Sequence, residues 1–182
     1  LLECLYALGN YDRFYEDQET SQGKYSNNIR AAAISAFASQ QLGRRDPNPF
    51  CPSPLDFIEV YENLGGIGDS EGFLKDLIVD LKDREGIWEP PGKTTKNGFQ
   101  TPPNLFNSPT GLLLDLEQII KDRIEDYRLK FSSEDCIFAR FLPKEISLIG
   151  WFVRLLKEGH QASHIHPSGW LSGVLYLQLP SN

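Results

Sequence analysis

Apolar positions recur along this chain at two different spacings, and the change from one to the other divides it. Near the start they fall three and four apart: Leu1, Leu2, Leu5 and Leu8, then Tyr11, Phe14 and Tyr15 after an interruption at Gly9-Asn10. That is the helical period, so Leu1–Glu19 is expected to form a helix or two. Ser26 or Asn27 caps a further expected helix over Ile29–Leu42, rich in alanine (Ala31–Ala33, Ala36, Ala38) and stopped by Gly43. Ser53 followed by Pro54 predicts a short helix over Leu55–Leu64, ended by Gly65-Gly66. Asp69 or Ser70 caps another over Gly72–Leu81, with Phe73, Leu77, Ile78 and Leu81 as its stripe. The strongest helical signal is Leu112–Phe131, where Leu112, Leu113, Leu116, Ile119, Ile120, Ile124 and Tyr127 mark one broad side. Such a helix typically packs on the outside of a sheet.

Beyond it the runs become short and β-rich: Ile137–Leu142, Ile146–Leu156 and Leu171–Leu179. In the middle run Trp151, Val153 and Leu155 alternate with Phe152, Arg154 and Leu156, which is the period of a strand. Helices followed by consecutive strands predict an α+β fold whose strands enter a jelly-roll barrel. Pro47, Pro49, Pro52 and Pro54 mark a boundary, giving a helical segment over 1–46 and a second region over 47–182. Gly86–Pro109, rich in Gly, Pro, Thr and Asn, is too long for a plain connector.

Composition narrows the partners. Hydrophobic content of 40% and charged content of 24% are those of an ordinary globular chain. The net charge of −7 makes the chain a poor candidate for binding a phosphate backbone, so no nucleic-acid partner is expected. No apolar run approaches the roughly 20 residues of a membrane span. No charged segment followed by an apolar one opens the chain, so a cytoplasmic location without a membrane partner is expected. Three widely separated cysteines, Cys4, Cys51 and Cys136, argue against a disulfide framework. The Leu-Leu start and the end at Asn182, just after an expected strand, read as a piece of a longer protein.

All three histidines, His160, His164 and His166, fall within Gly159–Pro180. In an extended segment His164 and His166 would project to one face with β-carbons about 7 Å apart, from a rise of about 3.3 Å per residue. Two imidazoles at that separation can close on one metal ion. Spacing alone leaves solvated loop histidines equally open.

The run HIHPSGWLSGVLYLQLP closely resembles the metal-binding strand and turn of the 2-oxoglutarate/Fe(II) oxygenases related to prolyl hydroxylases. There a His-x-Asp, His-x-Glu or His-x-His pair precedes a turn and a Ser-Gly-Val-x-Tyr-x strand, here Ser172–Leu177. GFQTPPNLF (Gly98–Phe106), EDYRLKF (Glu125–Phe131) and ISLIGWFVRLLKEG (Ile146–Gly159) are similar to the same family's approach to its barrel. The resemblance implies the first strands of a double-stranded β-helix and a hydroxylase-type dioxygenase of unknown prime substrate. It implies Fe(II) and 2-oxoglutarate, with a small-molecule or peptide substrate. His164 and His166 become two of three metal ligands on one face, and Tyr176 a hydroxyl for the cosubstrate. The third histidine, and an Arg or Lys for the distal carboxylate, are expected after Asn182, leaving this chain alone a weak metal binder. Most of the superfamily carries a carboxylate where His166 stands.

His160 is an alternative ligand or a solvated residue, Arg154 a carboxylate partner or an edge charge, and Trp170 a pocket wall or a packing residue. Gln100 and Thr101 contact substrate or serve the scaffold. Two other classes stay open. One is a non-catalytic cupin-like module. The other is an interaction protein whose N-terminal helices dock a protein partner, since LLECLYALGNYDRFYED resembles a degenerate tetratricopeptide-type helix pair. An open strand edge at Leu171–Leu179 predicts self-association.

Overall fold

A computed structural model describes residues 1–20, 26–65, 68–102 and 104–179. Gly66, Pro103 and Pro180, which entered the sequence reading, lie outside the described residues. The fold mixes helices with a small antiparallel sheet, and the chain divides into two compact units. One comprises Leu1–Val60, Tyr127–Lys144 and Ile165–Ser172; the other comprises Tyr61–Asp126, Glu145–His164 and Gly173–Asn182.

In the first unit, α1 (Leu2–Ala7) and α2 (Tyr11–Thr20) are separated where Gly9 takes a φ of +69°, a left-handed conformation that costs glycine little. α3 runs over Ile29–Leu42. Its cap is Asn28, whose side chain accepts from the Ala31 amide at 3.0 Å, rather than Ser26 or Asn27. The apolar faces of these helices meet in a core of Leu2, Phe14, Tyr15, Ala31 and Ala38. A second core is aromatic: Phe50, Tyr127, Phe131 and Phe138 are buried with Cys136, and Phe57 and Trp170 pack against them. Tyr127 donates its hydroxyl to the Phe57 carbonyl at 2.7 Å, so the burial of its oxygen is compensated.

Two expectations fail here. Ile137–Leu142 is not a strand; Ile137–Arg140 is a single helical turn, α6, with Cys136 as N-cap. A short apolar run does not distinguish the two periods, and the aromatic core takes Phe138 from a helix. Leu55–Leu64 is not a helix beyond the 3-10 turn Pro54–Phe57. Leu55, Ile58 and Val60 are exposed, so no buried stripe repays the cost of ordering a longer helix.

In the second unit, α4 (Ser70–Lys82) is capped by Asp69, which accepts from the Gly72 amide at 2.9 Å. α5 (Leu112–Lys130) begins here and ends in the first unit. Leu77, Leu81, Leu113 and Leu116 form the core, with Phe152 and Leu177 against it. The sheet has three antiparallel strands in chain order: β1 (Ile87–Trp88), β2 (Thr95–Gln100) and β3 (Val153–Gln161). β2 lies in the stretch read as a long loop, and β3 begins near the end of the run read as a strand. β3 has nine residues against six in β2, and the register slips between Lys96 and Gly98. Asn97 at φ +50° and Glu158 at φ +64° absorb the mismatch, and Asn97 Nδ2 donates to the Lys157 carbonyl at 2.6 Å.

The sheet's interior is polar. Thr95 is fully buried and donates to Gln100 Oε1 at 2.8 Å, while Gln161 Nε2 reaches Thr95 Oγ1 at 3.4 Å. Leu171–Leu179, expected as a strand, pairs with no other strand among the described residues. Within this unit Val174, Tyr176 and Leu179 are 76%, 72% and 67% exposed and Leu175 is 39% exposed, while Leu177 packs on the core.

Candidate functional site

The histidine stretch begins on the sheet. Lys96 pairs with His160 and Thr95 with Gln161, and the Ala162 amide closes the ladder by donating to the Thr94 carbonyl at 2.9 Å. The chain then leaves the sheet. His164 and His166 therefore stand beyond β3 rather than within a strand, and strand alternation does not set their directions. The boundary between the two units falls after His164, so each histidine is described in its own unit.

His164 is exposed, and its Nδ1 lies 2.8 Å from the Ala162 carbonyl. A carbonyl only accepts, so this contact assigns the proton to Nδ1 and leaves the lone pair of the neutral ring on Nε2. Metal-bound histidines share this arrangement, in which a carbonyl fixes the tautomer of the ligand ring. His166 is half-buried in the first unit and opens a turn through Pro167 and Ser168, its carbonyl accepting from the Gly169 amide at 3.0 Å. Trp170 ends that turn. Its indole Nε1 donates to the Phe138 carbonyl at 3.1 Å, and its ring stacks on Phe138 at 10° between planes, 6.4 Å between centroids. Phe50 closes the other contact at 5.3 Å. Trp170 is thus a packing residue that ties the turn after His166 to the aromatic core.

The remaining candidates separate. His160 is exposed on β3, with Nδ1 only 3.5 Å from the Glu158 carbonyl, a marginal contact. Tyr176 is exposed in the unpaired run after the turn. Arg154 pairs across the sheet with Phe99 and places its guanidinium 4.8 Å from that ring's centroid, a cation–π contact on an exposed face. Gln100 and Thr101 serve the scaffold: the Thr101 amide donates to the Phe152 carbonyl and Thr101 Oγ1 accepts from the Phe152 amide, both at 3.0 Å. Thr95 belongs to the segment Thr94-Thr95-x-x-Gly98-x-Gln100-Thr101, which by resemblance lies near the mouth of the oxygenase fold; that Thr95 is buried and bonded to Gln100 was not legible, because it depends on how Asn97 bends the strand.

A cavity of about 390 Å³ opens in the second unit beside Arg84, Thr101, Asn104 and Asn107. A smaller one of about 100 Å³ lies beside Lys82, Arg84, Phe99 and Arg154. No histidine and no tyrosine lines either. Among the described residues no group of three His, Cys, Asp or Glu side chains is placed to hold a metal ion. Two imidazoles suit a divalent first-row metal, and the tautomer at His164 fits a ligand. A third donor is not supplied by the described residues.

The family model described as "Putative 2OG-Fe(II) oxygenase" matches residues 150–182, less than a fifth of the chain. The match takes in β3, both histidines, the turn and the run that follows. No curated protein and no solved structure matches the chain. No helix among the described residues is long and apolar enough to cross a membrane.

Proposed function

We propose that this chain carries the metal-binding turn of a non-haem Fe(II)- and 2-oxoglutarate-dependent oxygenase of the hydroxylase type. The observation that carries the reading is the family match over residues 150–182, which falls on the same residues as the His-x-His pair and its turn. The Nδ1 contact of His164 supports it, because that contact presents Nε2 as the donor nitrogen. In this reading His164 and His166 are two of three ligands, and Tyr176 faces the cosubstrate. Leu171–Leu179 becomes a strand of a double-stranded β-helix. When bound, Fe(II) supplies the activation of O₂, with 2-oxoglutarate oxidised to succinate and CO₂ as one oxygen atom enters the substrate. The chain's own part is to hold two imidazoles, that of His164 with its tautomer set by the Ala162 carbonyl, and to anchor the turn after His166 through Trp170.

Anaerobic addition of Fe(II) and 2-oxoglutarate to the complete protein tests this. A visible charge-transfer band should form, and His164→Ala and His166→Ala should each abolish it. Losing a residue that merely orients a ligand costs about 10–100-fold in metal affinity, so losing a ligand should cost more. A band that survives either substitution would remove that histidine from the site. No band in the complete protein would leave a non-catalytic binding module as the better account.

A further inference from the structure

Asn97 is the one asparagine of this chain that precedes a glycine. A glycine has no Cβ to crowd its nitrogen, so an Asn-Gly pair leaves the side-chain amide carbon open to attack from the next main-chain nitrogen. The fold holds this pair away from that reaction. Asn97 sits in the left-handed region at φ +50°, and its Nδ2 donates to the Lys157 carbonyl at 2.6 Å, so the side chain reaches across to β3. The Asn97 main-chain amide donates to Glu89 Oε1 at 2.7 Å. Gly98 is buried, pairs with Leu155, and its carbonyl accepts from the Glu89 amide at 3.0 Å. The sheet around this bulge is small: β1 has two residues, both exposed, and β3 is exposed along most of its length. Few buried contacts oppose its local opening.

We propose that Asn97 is a deamidation site for which the bulge between β2 and β3 is the lock: the reaction runs only when the bulge opens, and its products do not rebuild it. The Gly98 nitrogen gives its proton to base and bonds to Asn97 Cγ. The Cγ–Nδ2 bond breaks, and ammonia leaves a cyclic imide behind. Water then opens the imide. Opening at Cγ gives aspartate; opening at the main-chain carbonyl gives isoaspartate, in which the chain runs through Cβ and is one carbon longer. The sum is one amide and one water giving one carboxylate and one ammonia, with no oxidant or reductant. Aspartate places an acceptor where Nδ2 donated to the Lys157 carbonyl, and adds a negative charge beside the Glu89 carboxylate. Isoaspartate lengthens β2 at the point where its register against β3 already slips. Either product loosens the ladder that closes at Ala162, whose carbonyl orients His164. The site is independent of the oxygenase reading.

The test incubates the protein at mildly alkaline pH, folded or unfolded in guanidinium chloride, and maps its peptides by mass over time. Each converted peptide is about 1 Da heavier, and chromatography separates the aspartyl from the isoaspartyl form. Asn97 should be the first asparagine to convert in the unfolded protein. In the folded protein it should convert about ten to a hundred times more slowly. Glu89→Ala, which loosens the bulge and leaves the reacting pair untouched, should raise the folded rate at least about twofold and leave the unfolded rate unchanged. Asn97→Asp, which reproduces one product, should melt at least about 2 °C lower than the natural protein. Asn97→Gly should remove the mass gain from this peptide. Conversion of another asparagine first in the unfolded protein would overturn the proposal. So would equal rates in the two states, or a folded protein untouched after about a hundred unfolded-state lifetimes. An Asn97→Asp protein with an unchanged melting temperature would refute the claim that the products cannot rebuild the bulge.

Discussion

Replacing Trp170 tests whether the aromatic core holds the histidine turn. Trp170→Phe removes the indole bond to the Phe138 carbonyl and keeps a ring between Phe50 and Phe138. One hydrogen bond is worth about 0.5–1.5 kcal/mol net. Trp170→Ala removes the ring as well. Truncating a fully buried tryptophan costs about 3–5 kcal/mol. Trp170 is half-buried, so roughly 2–3 kcal/mol is the expectation for alanine. Urea unfolding followed by far-ultraviolet ellipticity reads both, since the unit is mainly helical. With a slope of about 2 kcal/mol per M, the alanine midpoint should fall by about 1 M or more and the phenylalanine midpoint by about 0.5 M. Equal midpoints for the two variants would show that ring stacking contributes nothing. An alanine cost below about 1 kcal/mol would refute the idea that the core anchors the turn.

Gly98→Ala should destabilise the sheet by about 1–3 kcal/mol, because a Cβ there would lie 2.9 Å from the Arg154 carbonyl oxygen and from Leu155 Cδ2. Gly173→Ala meets nothing within 4 Å and should stay within about 0.5 kcal/mol, so thermal melts that rank the two equally would contradict the close packing of β2 on β3. The Cys51 thiol, ordinarily near 9, stands at about 12 in the fold. Its neutral form is favoured by folding, so its contribution is complete below pH 9 and is lost as pH rises toward 12. Cys51→Ser should lack that component of the alkaline loss, and identical pH–stability curves would dismiss it.

Helices were the legible part of this chain because their signals are local. Ile29–Leu42 has the expected bounds and ends at Gly43, although its cap is Asn28, and Leu112–Lys130 differs from the expected helix by one residue. Strands were less legible because their partners are distant. Nothing in Thr95–Gln100 looks like a strand until Val153–Gln161 lies beside it. Ile137–Arg140 turned helical because Phe138 is placed by Phe50, Phe57 and Trp170, none of which is near in sequence. The histidine pair was visible as residue types. The carbonyl that orients His164 was not, since it depends on how the chain leaves the sheet after Ala162.

Thr95 and Gln100 are five positions apart, yet their side chains bond on one face of the sheet. In a regular strand an odd separation would set them back to back. The left-handed Asn97 between them therefore acts as a phase defect: it inverts the parity of inside and outside for everything that follows it. Such a defect cannot relax away locally; it can only be cancelled by a second one. A β-branched residue at Asn97 should force either Thr95 or Gln100 out of the interior. Deleting one residue between Lys96 and Gly98 should restore the pair by shifting the phase back. Length changes in β2 would then be tolerated or not according to whether they are odd or even, and only in company with the residue at Asn97.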